Sequence, residues 1–209
     1  MSIINFVHVP KTGGTTIHHC LLNSEWIKQN FNETIITHCR EPDYSKDHKF
    51  LFALRNPIER LFSVFNYRKI DTWYPDADKA ILQKYGSLSN LAEELYDGDL
   101  NEEKAKELSN IIFVDLNYRY HFKNIFDHIT REKIHGVICY DTIEEDIRKY
   151  IRFENVPLMQ ETPKELKQDA LSVLARNNLK KYLKPEFDVI QKLLQIYPLT
   201  DSQTKSILV

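Results

Sequence analysis

From Ser2 to Val9 the chain reads SIINFVHV, with apolar side chains at nearly every position instead of every second one. A short, β-branched-rich run of this kind predicts a buried strand over Ile3–Val9. The same pattern recurs as TIIT at Thr34–Thr37, KFLFAL at Lys49–Leu54 and HGVICY at His135–Tyr140. After Leu54 the period changes. Asn56 is a good helix N-cap, Pro57 suits the first helical position, and Leu61, Phe62 and Phe65 repeat at helical spacing toward a core. Thr15 or Thr16 is expected to start a helix after the first strand. The chain from Asp76 to about Asn110 is charged and helix-prone, with NEEKAKEL as a solvated helix face. Thr142 with Glu145 makes a capping-box pattern, and Thr162, Pro163 and Glu165 repeat that signal before KELKQDALSVLARNN. KPEFDVIQKLLQIY is expected to be the last helix.

Strands separated by helices predict an α/β domain whose central parallel sheet is flanked by helices in three layers. No internal repeat or linker-like stretch divides the 209 residues, so a single domain over 1–209 is expected. Such sheets bind ligands beyond the carboxyl ends of their strands.

Composition narrows the classes. The formal net charge of −2 supplies no global field for nucleic acid or an anionic membrane surface. Cys20, Cys39 and Cys139 are odd in number and lack CxxC spacing, which argues against a disulfide framework or a cysteine zinc site and for a reducing compartment. No targeting pattern leads the chain, and no apolar run approaches the roughly 18 residues of a membrane span. A soluble, cytoplasmic protein is expected.

Candidate chemistry lies at two strand ends. After the first strand comes PKTGGTT, Pro10–Thr16. Gly13 and Gly14 allow positive φ and close approach of the backbone, successive N–H groups can form a nest for phosphate oxygens, and the next helix adds partial positive charge. Lys11 supplies a full charge, and Thr12, Thr15 and Thr16 complete the loop. Its lysine precedes the glycines, so the G-x-x-x-x-G-K-[ST] pattern of nucleotide kinases is absent. After the third strand comes FALRNPIERLFSVFNY, Phe52–Tyr67. Arg55 at the strand end can grip a phosphate bidentately, and Ser63 can add a hydroxyl if its helix face turns to the same cleft. Two anion-suited strand ends point to a ligand with two separate anionic groups. Either could instead be structural: a tight turn with a solvated lysine, or a surface arginine with a packing serine.

Together these residues resemble sulfotransferases. FVHVPKTGGTT is similar to their 5′-phosphosulfate-binding loop, and LRNPIERLFSVFNY resembles their 3′-phosphate-binding R-[DN]-P-x-x-R…S segment, with Asn56 where aspartate is common. The nearest likeness is to the carbohydrate group, especially the uronyl 2-O-sulfotransferases. The match covers Phe6–Tyr67 and is diffuse beyond it. The resemblance implies a P-loop-like fold and the donor 3′-phosphoadenosine 5′-phosphosulfate, with no metal required. Lys11–Thr16 would hold the donor's 5′ end, Arg55 and Ser63 its 3′-phosphate, and Thr162 and Lys164, with Lys167, would close over it. The acceptor would be a hydroxyl compound, with a saccharide preferred. Of the eight histidines, His38 follows TIIT between the two motifs, and the resemblance favours it as the base, with Glu33, Glu41 or Asp43 as orienting groups or replacements. His8 is expected to be a buried strand residue, and Trp73, Tyr74 and Tyr85 are candidates to line an acceptor groove. A small-molecule or nucleotide kinase with a variant loop, and an inactive nucleotide-binding domain, remain open alternatives.

Overall fold

The computed structural model describes residues 2–70, 76–157 and 170–209. Four strands, β1 (Ser2–His8), β2 (Phe31–His38), β3 (His48–Leu54) and β6 (Ile134–Cys139), form a parallel sheet in the order β2-β1-β3-β6. All four expected strands are present, with ends moved by at most three residues. Alternate side chains along β1, β3 and β6 enter opposite cores, as the two-residue pleat requires. Ile4, Phe6, Leu51, Ala53 and Ile138 pack with Ile17, Cys20 and Leu21 of α1 (Gly14–Asn23), Ile27 of α2 (Glu25–Asn30) and Ile147 of α8 (Ile143–Tyr150). Val7, Phe50, Phe52, Leu54, Val137 and Cys139 pack on the other face. There they meet Tyr118 of α7 (Tyr118–His121), Ile190 and Leu193 of α10 (Lys184–Ile196), and Ile207 of α11 (Asp201–Leu208). Burial on both faces is why these strands read as continuous apolar runs.

A third core is mainly helical. It gathers α3 (Pro57–Ile70), α4 (Asp76–Tyr85), α5 (Leu88–Glu93), α6 (Glu102–Ser109) and α9 (Val173–Tyr182) around Leu61, Phe65, Leu91, Leu108 and Leu179. On α6 only Ala105 and Leu108 are buried, so NEEKAKEL is a largely solvated face as expected.

Several expectations change. Between α5 and α6 a small hairpin intervenes, β4 (Tyr96–Asp97) and β5 (Asp99–Leu100), turned by Gly98 at φ 75°. The helix over KPEFDVIQKLLQIY is not the last, because α11 follows it with a Thr200/Gln203 capping box. At Thr142 the capping box does not form. Its hydroxyl donates instead to Asp146 at 2.9 Å, a buried carboxylate that also accepts from the Cys139 N–H and the Gln203 amide. Thr162, Pro163, Glu165, Lys164 and Lys167 lie outside the described residues, as do Trp73 and Tyr74. Among described residues α9 starts at Val173, capped by Ser172.

Candidate functional site

From β1 the chain continues to β2 on one flank of the sheet, whereas β3 leads toward β6 on the other. The connections leaving the neighbouring strands β1 and β3 therefore diverge, which is the arrangement that opens a ligand crevice in parallel sheets.

The loop after β1 carries two left-handed residues, Lys11 at φ 67° and Gly13 at φ 84°. Alternation of this kind turns backbone N–H groups inward into an anion nest. Thr12 is fully buried, and its hydroxyl donates to the Val9 carbonyl at 2.8 Å. It thus closes the turn, leaving only its backbone for a ligand. Helix α1 begins at Gly14 behind Gly13, which has no side-chain cap, so neither Thr15 nor Thr16 starts the helix; both lie in its first turn. Gly14 is helical, and only Gly13 of the pair has positive φ. The second glycine serves a different neighbour. A Cβ at Gly14 would fall 1.8 Å from Nε2 of His8. The His8 ring thus lies against the first turn of α1.

His8 and His38 are directly opposite in the β1–β2 register, and their rings stack with centroids 4.2 Å apart. Burial, helped by His38, His121 and His18, lowers the pKa of His8 to about 3, so it is neutral. His8 is therefore half-buried and stacked beside the loop, a more specific placement than that of a plain buried strand residue. His38 is exposed, and its Nδ1 lies 3.3 Å from the His8 carbonyl. A carbonyl only accepts, so Nδ1 is the donor of this pair, and in the neutral ring Nε2 holds the lone pair. Two of the carboxylates considered as orienting groups have other partners, and the third lies away from His38. Asp43 accepts from the Ser45 backbone and hydroxyl, and Glu41 faces Lys123 at 3.5 Å. Glu33 is opposite Ile3, well down the strand from His38. The orienting group observed at His38 is the His8 carbonyl.

Arg55 leaves the end of β3 held at its backbone: its N–H donates to the Tyr118 hydroxyl at 2.7 Å, and that hydroxyl donates to its carbonyl at 3.0 Å. Its guanidinium donates from Nη1 to the Lys11 carbonyl at 3.2 Å and lies 4.0 Å from the centre of the Tyr140 ring. The two anion-suited strand ends are thus in contact. Burial pushes the arginine pKa below its usual value, yet an arginine stays charged.

The helix after Arg55 has two faces. Asn56 caps it as expected, its side-chain oxygen accepting from the N–H groups of Ile58 at 2.9 Å and Glu59 at 3.3 Å. Ile58, Leu61, Val64 and Phe65 enter the helical core. Arg60, Ser63 and Tyr67 follow one another at helical spacing along a second stripe. Ser63 is buried there, and the Lys11 ammonium rests 3.8 Å from the centre of the Tyr67 ring. Arg60, the second arginine of the motif, is fully buried. It holds the carbonyls of Phe113 at 3.2 Å and Val114 at 3.4 Å and pairs with Glu186 at 3.6 Å, so it braces the scaffold.

Sequence reasoning missed Tyr140, Tyr67 and Phe113. Tyr140 follows directly on β6, a third strand end, and that position was its one available signal. Tyr85 is buried in the helical core with its hydroxyl on Glu107, which removes it from the acceptor-groove candidates. No group of three or more His, Cys, Asp or Glu among the described residues is placed to hold a metal, and no helix among them is long and apolar enough to cross a membrane. No protein-family model matches the chain, and no curated protein compared with it does either.

Proposed function

We propose that this chain is an O-sulfotransferase of P-loop-like architecture. It would move a sulfuryl group from 3′-phosphoadenosine 5′-phosphosulfate to an acceptor hydroxyl, with a saccharide as the preferred acceptor class. The observation that carries this reading is the contact between Arg55 and the Lys11 carbonyl, which makes one clamp of two anion-suited strand ends. A donor with phosphates at both its 5′ and 3′ positions suits such a clamp.

In this scheme the backbone of Lys11–Gly14, the first turn of α1 with Thr15 and Thr16, and the Lys11 ammonium bind the 5′-phosphosulfate. Arg55 and Ser63 take the 3′-phosphate. The acceptor oxygen attacks sulfur as the bond from sulfur to the bridging oxygen breaks, and the acceptor proton passes to Nε2 of His38. Negative charge builds on the bridging oxygen, where Lys11 would stabilise it. An ammonium over an aromatic ring is held by about 0.5–2 kcal/mol, so a charge-assisted contact to the donor can replace that stacking. Thr162 and Lys164, outside the described residues, would close over the donor as the resemblance implies.

The test is binding of adenosine 3′,5′-bisphosphate in the presence of EDTA. At 100 times its dissociation constant the nucleotide should stabilise the fold by about 2.7 kcal/mol, raising the melting temperature by roughly 5–10 °C. Lys11→Ala and Arg55→Ala should weaken this binding, whereas His38→Ala should spare binding and abolish sulfuryl transfer. Stabilisation by magnesium–ATP alone would replace this reading with a kinase. No response to either nucleotide would leave a non-catalytic domain.

A further inference from the structure

Phe113 has φ 75°. For a bulky residue with a Cβ this is a strained conformation, and strain of this kind persists only where the surroundings impose it. Here buried ionic groups impose it from both sides. Arg60, fully buried and paired with Glu186, holds the Phe113 and Val114 carbonyls, while the buried carboxylate of Asp78 accepts from the Ile112 N–H at 3.2 Å. The ring that results is half-buried. It packs in part against the helical core and lies 4.6 Å from the Arg68 guanidinium. It also faces His38, centroid to centroid 6.3 Å and tilted by 52°. His8 stacks on His38 at 4.2 Å. The imidazole assigned as the base thus has two aromatic neighbours, and one of them is fixed by a strained loop.

Building on the sulfotransferase reading, we infer that Phe113 is the water-excluding wall of the acceptor side: its ring shields the space above His38 so that an acceptor hydroxyl, and not water, reaches the sulfur. When an acceptor is bound, its carbon skeleton would lie against this ring. When the wall is missing, water becomes the acceptor. Its oxygen bonds to sulfur, the bond to the bridging oxygen breaks, one water proton goes to Nε2 of His38, and sulfate and adenosine 3′,5′-bisphosphate leave. No other reactant is needed.

The experiment measures sulfate release from 3′-phosphoadenosine 5′-phosphosulfate without any acceptor, in the wild type, Phe113→Gly and Phe113→Leu, with bisphosphate affinity measured on each. Glycine accepts the positive φ and removes the ring, whereas leucine keeps apolar bulk. Phe113→Gly should raise the hydrolysis rate at least about threefold at unchanged bisphosphate affinity, the exclusion of water being what such a wall provides. Phe113→Leu should stay within about twofold of the wild type on the same ground. If the glycine variant fails to fold, Phe113→Asn, which also tolerates this φ, takes its place. A ring that only packs against the core would change the melting temperature and leave the hydrolysis rate alone. Intact bisphosphate binding with an unchanged hydrolysis rate therefore overturns this inference and leaves the sulfotransferase reading standing. Failure of the wild type to bind bisphosphate overturns that reading first.

Discussion

Gly14→Ala isolates what the second glycine of the loop is for. The position is helical with no positive φ, so alanine meets no backbone penalty there and gains up to about 1 kcal/mol of helix propensity. Against this, the added Cβ would lie 1.8 Å from Nε2, 2.0 Å from Cδ2 and 2.5 Å from Cε1 of His8. To reach ordinary contact the imidazole has to retreat by roughly 1.5 Å. It has little room to do so, stacked against Phe6 at 5.5 Å and His38 at 4.2 Å. Overpacking of this kind costs about 1–3 kcal/mol, so after the propensity gain the net loss should be about 1–2 kcal/mol. In a domain of this size that lowers the melting temperature by about 3–6 °C. The assay is a thermal melt of Gly14→Ala, His8→Ala and the double variant. In the His8→Ala background the ring is gone, and alanine at position 14 should become neutral or stabilising, a coupling of about 1–2 kcal/mol between contacting residues. Bisphosphate affinity of the double variant should match that of His8→Ala. If the penalty of Gly14→Ala persists undiminished without the imidazole, the glycine is not there for His8 and this reasoning is wrong.

Three other outcomes are expected. Arg60→Met strands the buried Glu186 carboxylate and should destabilise by about 3 kcal/mol, while Arg60→Met with Glu186→Met should recover much of the loss in urea unfolding. Asn56→Ala removes an oxygen that accepts from two N–H groups and should lower stability by about 1 kcal/mol, whereas Asn56→Asp should be nearly neutral in the same titration. Burial holds His8 at about 3 and His121 at about 4, both below the ordinary value of 6.5. The unfolded chain therefore binds protons that the native state refuses, and stability falls as pH drops from about 6.5 toward 4, by up to about 1.4 kcal/mol per pH unit for each histidine. Asp146 and Glu186, raised by burial, act in the opposite sense, so the test is the difference between the wild type and His8→Asn, whose slope should be shallower.

Legibility followed the range of the interactions. Phe50–Leu54 is buried on both faces, so its apolar run marked a strand without any knowledge of its neighbours. Asn56 caps the very turn it precedes and could be read locally. Strands β4 and β5 are two residues each, too short to show a period. Gly14 misled because the atom that excludes its Cβ belongs to His8, on the strand before the loop. The brace from Arg60 to Phe113, Val114 and Glu186 joins parts of the chain far apart in sequence, as does Tyr118 on Arg55, and no local pattern encodes either. The motifs therefore marked the two strand ends that meet but not the aromatic side chains of Tyr67, Phe113 and Tyr140 near them.

The ladder between β1 and β2 has a consequence for how this protein tolerates change in length. His8 and His38 are brought opposite one another by parallel pairing that runs unbroken from Ile3–Glu33 to His8–His38. The connecting chain does not set their alignment. Residues inserted at the exposed C-terminal end of α2, Lys28–Asn30, which runs directly into β2, should leave the two imidazoles stacked. A single residue added inside β2 would instead shift the ladder and turn the position 38 side chain to the opposite face of the sheet. Along this stretch the protein can lengthen the chain where the helix ends, while its paired strands admit no slip.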